Sequence, residues 1–320
     1  MLKNGFCWML LCALLLAGCG AKETAQPAED GEQPLKIVAT VFPAYDFART
    51  CGGEDVEVTL LLPPGTESHS YEPTPADILA VQECDLFLYL GGESDAWVDT
   101  ILSAAEPTGR TFKLMDCVDL LEEETVEGME SDHDHDHEEE LGQVKEYDEH
   151  VWTSPRNAAQ IVRDIAGTMG ELDPEHAETF RVRGEDYAGQ IEVLDQQFRD
   201  FFDSLPSRTI VFGDRFPLRY FAEEYDLDYY AAFPGCSTQT EPSAATIAFL
   251  TDKVRDEHIS TVWYIEFSNH LVADSIAEAT GTKTAMFHTC HNVSQEEMDS
   301  GATYLSLMEG NLETLRANMP

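Results

Sequence analysis

The sequence is poor in basic residues. Its 320 residues include 19 Lys and Arg against 61 Asp and Glu, a formal net charge of −42. Such a chain repels phosphate groups, which excludes nucleic acid and anionic membrane surfaces as main partners. The same charge attracts cations, so a metal ion is the first ligand to consider. With 43% hydrophobic residues the chain has enough apolar side chains for one large core or two moderate ones, which excludes wholesale disorder.

Common signatures of catalysis are also missing. The sequence has no HExxH helix, no GxSxG turn, no glycine-rich phosphate loop and no dinucleotide-binding fingerprint. It has no CxxC pair, so a four-thiolate zinc site is not indicated. We therefore expect a protein that is not an enzyme.

Long apolar runs are missing except at the start of the chain. Lys3 precedes the apolar run 6–16, and small residues then lead to Cys19. This order is typical of a signal peptide, and the run is short for a transmembrane helix. Residues 16–19 look like a lipobox, in which the cysteine is lipidated and becomes the mature N-terminus; a generic cleaved signal is the alternative. We expect a protein anchored by lipid to the extracytoplasmic face of the cell membrane, with residues 20–34 as a flexible tether.

Beyond Cys19 the cysteines are odd in number, so at least one thiol is unpaired within the chain. They are Cys51, Cys84, Cys117, Cys236 and Cys290. Export permits disulfides, and a bond between Cys236 and Cys290 is one candidate, because each follows a predicted strand of the second half. The pairing remains open.

Predicted strands, among them 209–212 and 261–265, alternate with predicted helices in both halves of the chain, which indicates parallel sheets. Thr74 and Ser154, each followed by proline, are capping signals for two of the helices. Between the halves, apolar or small residues recur every three or four positions from Phe180 to Phe201. They predict one long helix, begun at an Asp173 cap. The fold class is α/β: two α/β lobes with flanking helices, joined by one long rigid helix, with a cleft at the carboxyl ends of the strands. The boundaries are 35–171 for the first lobe, 172–204 for the linking helix and 205–320 for the second lobe.

The segment 122–149 differs in kind from its surroundings. It contains fourteen acidic residues and the alternating tract His133, His135 and His137. No packed core forms from this composition, so we expect a solvated loop. The tract predicts an auxiliary, low-affinity collector of metal ions, and a plain acidic solvating loop is the alternative.

Four other histidines follow predicted strands or precede a helix, where loops should face the cleft. They are His69, His150, His288 and His291. Any one of them alone is more often a surface or core residue, but together they predict a metal site. Asp214 and Glu266 follow strands of the second half and are candidate oxygen ligands. A role as helix caps is an equally supported alternative for both. Imidazole suits Zn²⁺, whereas Mn²⁺ tolerates more carboxylate, so we expect Zn²⁺, with Mn²⁺ less favoured.

Several segments resemble the metal-binding lipoproteins that serve bacterial zinc and manganese ABC importers. Residues 68–75 (SHSYEPTP) and 148–155 (DEHVWTSP) are similar to the family's two histidine motifs, and residues 91–97 and 304–312 to two further segments. The similarity extends over about 36–318. It implies two α/β lobes, a buried metal site between them, and delivery of the ion to a permease with its ATPase subunit. The acidic histidine loop resembles that of the zinc-specific branch.

Carried over by position, the resemblance implies His69 and His150 as the first two ligands. The family's third ligand falls near Asp214 if one residue is inserted, and its fourth falls at His288, for which His291 could substitute. The second lobe therefore departs from the family pattern.

These observations predict a receptor outside the cytoplasm that captures Zn²⁺ and delivers it to an ABC importer. A surface adhesin or metal-storage protein with the same site is the first alternative, and gene neighbourhood would separate the two. A zinc hydrolase is the second, and would require a metal-bound water facing an open pocket.

Overall fold

The computed structural model describes residues 33–66, 71–92, 95–104, 107–129, 146–237 and 241–319. Residues 34–320 form one compact unit. Within it, the first lobe is built on one four-stranded sheet and the second lobe on another.

The first lobe contains a parallel sheet in the order β2-β1-β3-β4. Its strands are β1 (Leu35–Ala39), β2 (Val56–Leu60), β3 (Leu86–Tyr89) and β4 (Arg110–Lys113). The helices that follow the first three strands are α1 (Phe42–Gly52), α2 (Pro75–Glu83) and α3 (Ala96–Ala104). Sequence sets the start of α2, because the Thr74 side chain accepts the backbone N–H of Asp77 and Pro75 occupies the first helical position.

The second lobe repeats this arrangement in the equivalent order β6-β5-β7-β8, again all parallel. Its strands are β5 (Thr209–Phe216), β6 (Asp228–Pro234), β7 (Thr261–Ile265) and β8 (Lys283–Phe287). Two helices, α4 (Pro155–Leu172) and α5 (Ala177–Ser204), lie between the lobes in the chain. The helices of the second lobe are α6 (Arg219–Tyr225), α7 (Ala244–Asp256), α8 (Leu271–Thr280), α9 (Gln295–Ser300) and α10 (Tyr304–Asn318).

The long helix α5 runs between the two sheets. Its 28 residues span about 42 Å at the usual rise per residue. The expected start at Asp173 is wrong: that residue ends α4, and α5 begins four residues later, at Ala177. The Asp173 carboxylate instead accepts the backbone N–H of His176 at 3.3 Å in the turn between the helices.

One face of α5 is buried in a hydrophobic cluster that includes residues of both lobes. Phe180 and Phe198 are fully buried on this face. The helix packs against α1, α4, α6 and α10. Phe47 of α1 and Phe221 of α6 belong to the same buried cluster. The predicted fold class, two α/β lobes with parallel sheets joined by a long helix, is confirmed.

Strand β5 differs from its prediction in a way that affects the site. It was expected to end at Phe212 but continues to Phe216, with a register shift against β6 between Phe212 and Arg215. Gly213 lies at this bulge, where a side-chain Cβ would approach the backbone of Ala273 to 2.5 Å. The bulge therefore depends on glycine, because α8 packs too close for any larger residue.

The cysteines of the described residues are free thiols. Cys51, Cys84 and Cys290 are buried, and Cys117 and Cys236 are partly exposed. The candidate disulfide between Cys236 and Cys290 is therefore not formed.

In the described residues, no helix combines the length and the apolar character needed to cross a bilayer.

Candidate metal site

His150 is held in the first lobe, just before the turn that leads into α4. Its side chain is buried, and Asp148 fixes its orientation. One Asp148 carboxylate oxygen, Oδ1, accepts the His150 backbone N–H at 2.8 Å and lies 3.2 Å from the ring nitrogen Nδ1. A neutral ring that donates from Nδ1 to this carboxylate presents the lone pair of Nε2 to a metal ion.

Neighbouring carboxylates change the pKa of His150. Burial lowers the pKa of the imidazole, but the carboxylates of Asp148, Glu149 and Glu123 together outweigh burial and raise the pKa above its usual value. A proton and a metal ion therefore compete for this ring near neutral pH.

His291 comes to the same place from the second lobe. The ring centroids of His150 and His291 are 5.7 Å apart, and Trp152 lies beside both, at 5.5 Å and 5.3 Å. With Zn–N bonds of about 2 Å, each ring centroid lies about 3 Å from the ion, so two ligating rings have centroids up to about 6 Å apart. The spacing of these two rings is therefore compatible with one shared zinc ion.

A small cavity lies at these rings, between the lobes. It is partly open, and its volume is about 30 Å³. Its polar side chains come from both halves of the chain: Thr66, His150, Arg215, Glu266, Thr289, His291 and Asn292.

Glu266, one of the two predicted oxygen ligands, lines the cavity and is almost fully buried. One of its oxygens accepts the backbone N–H of Thr289 at 2.7 Å and the other accepts the Thr289 hydroxyl. The Thr289 carbonyl accepts the indole N–H of Trp152 at 2.8 Å. This chain of contacts ties the loops after β7 and β8 to the first lobe.

His288 does not line the cavity. Its Nδ1 lies 2.9 Å from the backbone nitrogen of Cys290 and 3.8 Å from a carboxylate oxygen of Glu266, and its Nε2 lies 3.5 Å from a carboxylate oxygen of Glu297 in α9. Cys290 has φ of 63°, so the chain turns between the two histidines and sends their rings to different partners. The structure thus brings His291, and not His288, to the ring of His150.

Asp214, the other predicted oxygen ligand, does not line the cavity either. Its carboxylate accepts the backbone N–H groups of Arg215 at 2.8 Å and Ile265 at 3.4 Å. The bulge in β5 instead brings the neighbouring Arg215 to the cavity wall.

The loop before His69 is anchored to the second lobe. The Asn292 side-chain amide donates to the carbonyls of Pro63 and Thr66 at 2.8 Å and 2.9 Å. The backbone N–H of Gly65 donates to the carbonyl of Val293 at 2.8 Å. Thr66 lines the cavity, three residues before His69 in the chain.

Some predicted residues lie outside the described part of the chain. They are His69, the tract His133, His135 and His137, and the lipidation candidate Cys19. Within the described ranges, no group of three or more His, Cys, Asp or Glu side chains is arranged to hold an ion. Ligation by the six predicted residues remains a prediction.

The sequence interpretation missed two residues of the site. Asp148 orients His150 from two positions upstream, a spacing that a search for ring-orienting carboxylates would find. Arg215 lines the cavity because of the bulge, and the sequence offers no signal for that.

Known proteins are similar to this chain in fold and in sequence. The profile of a family described as zinc-uptake complex component A, periplasmic (ZnuA), matches residues 37–318. The high-affinity zinc uptake system protein ZnuA of Bacillus subtilis is 30% identical over 99% of this chain and 97% of its own length. The zinc-binding lipoprotein AdcA of Streptococcus pneumoniae is 31% identical over 96% of this chain, which spans only 59% of that protein.

A crystal structure of the Zn(II)-bound ZnuA-like domain of Streptococcus pneumoniae AdcA superimposes with a TM-score of 0.72 at 28% identity. The match covers 89% of this chain and 99% of that domain. The profile match over most of the chain, together with the two-lobed architecture, shows that this chain belongs to the ZnuA family of zinc-uptake complex components.

Proposed function

We propose that this protein captures Zn²⁺ outside the cytoplasm and delivers it to the permease and ATPase subunit of an ABC importer. The observation that carries the proposal is the approach of His150 and His291, one from each lobe, to a centroid separation of 5.7 Å beside a shared cavity. The relatives named for zinc uptake and zinc binding support the same ion.

The donor set favours Zn²⁺ over Mn²⁺. Two imidazoles, with ring planes 70° apart, and one carboxylate, that of Glu266, lie at the described part of the cavity. Imidazole nitrogen suits zinc, whereas manganese is better served by carboxylate oxygens. We include His69 as a further ligand, because Thr66 at the cavity wall lies only three residues before it.

Lipid anchoring through Cys19 belongs to the same proposal, since it would hold the receptor at the membrane beside its permease.

Metal analysis and competition titration of the chain from Pro34 onward test the proposal. We expect one tightly bound zinc ion per chain, and a loss of zinc affinity of more than about 100-fold in His150→Ala and in His291→Ala. His176→Gln is the matched control, because His176 pairs with Asp173 in the turn between α4 and α5 and does not line the cavity. Zinc binding of unchanged affinity in both alanine variants would refute the site.

A further inference from the structure

Trp152 packs against the two histidines that come from opposite lobes. Its indole ring is fully buried, and its centroid lies 5.5 Å from that of His150 and 5.3 Å from that of His291. Because the two imidazole centroids are 5.7 Å apart, the three rings form a nearly equilateral triangle. The indole therefore fills the space beside both imidazoles, and neither of them can move towards it in a closely packed interior.

The indole also joins the two lobes through a hydrogen bond. Its N–H donates to the carbonyl of Thr289 at 2.8 Å, and the Trp152 carbonyl accepts the hydroxyl of Tyr304 at 2.8 Å. Trp152 follows His150 by two positions, and Thr289 precedes His291 by two positions. One hydrogen bond thus connects the two segments that carry the histidines.

Thr289 transmits this constraint to other groups of the cavity. Its backbone N–H and its hydroxyl donate to the two carboxylate oxygens of Glu266. Its hydroxyl oxygen also accepts the backbone N–H of His291 at 3.3 Å. A displacement of Thr289 would therefore move Glu266 and His291 with it.

We propose that Trp152 is a positioning residue, which fixes the separation of the His150 and His291 rings before the ion arrives and thereby selects Zn²⁺ over the larger Cd²⁺. This inference rests on the proposed function, because it concerns the ion bound at that site.

The separation of the two rings suits zinc. The observed 5.7 Å lies just below the separation of about 6 Å that two nitrogen bonds of about 2 Å allow. A larger ion that accepts the same imidazole ligands forms longer bonds, so it requires the rings to move apart. The hydrogen bond from Trp152 to Thr289 resists that movement, and a site fixed in advance favours the ion that fits it.

Trp152→Phe tests the positioning role. Phenylalanine keeps an aromatic ring beside the histidines but cannot donate to Thr289, so the two segments become freer to move apart. We expect the zinc affinity of the chain from Pro34 onward to fall by about tenfold, and its cadmium affinity to change by less than about threefold. The preference for zinc over cadmium, measured by competition titration of both ions, should therefore fall by about threefold or more.

Trp263→Phe is the matched control. Trp263 is also buried, but it lines a separate cavity with Leu205 and Met319, near the amino ends of β5 and β7. The control should lower the free energy of unfolding, as the Trp152 variant does, and leave both metal affinities within about twofold of the wild type. Equal losses of zinc and cadmium affinity in Trp152→Phe would show that Trp152 only supports the fold, and would overturn the inference.

Hydrogen exchange of the indole N–H in the wild type gives a second test that does not depend on a stable variant. The Trp152 signal in a proton–nitrogen correlation spectrum is assigned through its contacts with the two histidine rings. We expect slow exchange before zinc is added, because the inference requires the hydrogen bond to Thr289 to be formed already.

Rapid exchange before zinc is added would mean that the ion itself brings the segments together. That result would overturn the inference and leave the proposed function intact. Absence of tight zinc binding by the wild type would instead overturn the proposed function.

Discussion

Replacing Asp148 with asparagine should weaken zinc binding by about 10- to 100-fold while leaving the fold intact. The carboxylate lies 3.2 Å from Nδ1 of His150, and both side chains are buried. Asparagine keeps the size of the side chain but removes the charge that orients the ring and raises its basicity. The expected loss corresponds to about 1.4–2.7 kcal/mol of binding free energy.

The loss should depend on pH in a defined direction. The Asp148 carboxylate helps to raise the pKa of His150, so protons compete with zinc more strongly in the wild type than in the variant. The ratio of the wild-type to the variant affinity should therefore be largest at pH values above the raised pKa of His150. It should shrink as the pH falls through the raised pKa of His150.

Competition titration against a zinc chelator at several pH values measures both effects. Asp173→Asn is the matched control, because Asp173 pairs with Nδ1 of His176 at 2.7 Å in the turn between α4 and α5, away from the cavity. The reasoning fails if Asp148→Asn binds zinc within about twofold of the wild type, or if the control variant weakens binding equally.

Three further predictions concern stability and thiols. The pair formed by His288 and Glu297 lowers the pKa of the carboxyl to about 2, while Glu266 and, to a smaller extent, Glu297 raise the pKa of the histidine well above its usual value against the effect of burial. Its stabilisation is complete between the unfolded pKa values of about 4.5 and 6.5 and declines as the pH rises towards the folded pKa of the histidine. Urea unfolding of metal-free Glu297→Gln should therefore show a loss of about 1 kcal/mol at pH 6 and a smaller loss at pH 9; an equal loss at both would contradict the pairing. Phe202 lies on the buried face of α5, and Phe202→Ala should lower the free energy of unfolding by about 3–5 kcal/mol. Val193 is exposed on the same helix, and Val193→Ala should change that free energy by less than about 0.5 kcal/mol. Similar values for both variants would argue against the buried face of α5. Alkylation of the chain from Pro34 onward, unfolded without reductant, should label all five cysteines, and mass spectrometry finding two fewer labels would reveal a disulfide.

Much of the fold could be predicted from the sequence because its signals are local. The bounds of β7 were predicted residue by residue, since β-branched and aromatic residues from Thr261 to Ile265 mark a buried strand. The capping signals at Thr74 and Ser154 also correspond to helix starts in the structure. The start of α5 was misplaced because Asp173 carries a capping signal that the chain uses for a turn.

The arrangement of the second-lobe residues at the site could not be predicted, because tertiary contacts decide it. Periodicity does not reveal a bulge, and the bulge at Gly213 determines that Arg215, not Asp214, reaches the cavity. His288 and His291 are equivalent by position in the sequence. The turn at Cys290, with φ of 63°, is what separates the directions of their rings.

The buried hydrophobic cluster that α5 shares with both lobes limits how a bound ion could be released. Phe198 and its neighbours belong to the buried cluster that both halves share, so wide separation of the halves would expose them to water at a cost of several kcal/mol. Unfolding should then occur as one cooperative transition, and escape of the ion should depend on small displacements of the segments around His150 and His291. A permease that binds such a protein would release the ion by disturbing a few loop contacts, and it would not need to separate the two lobes.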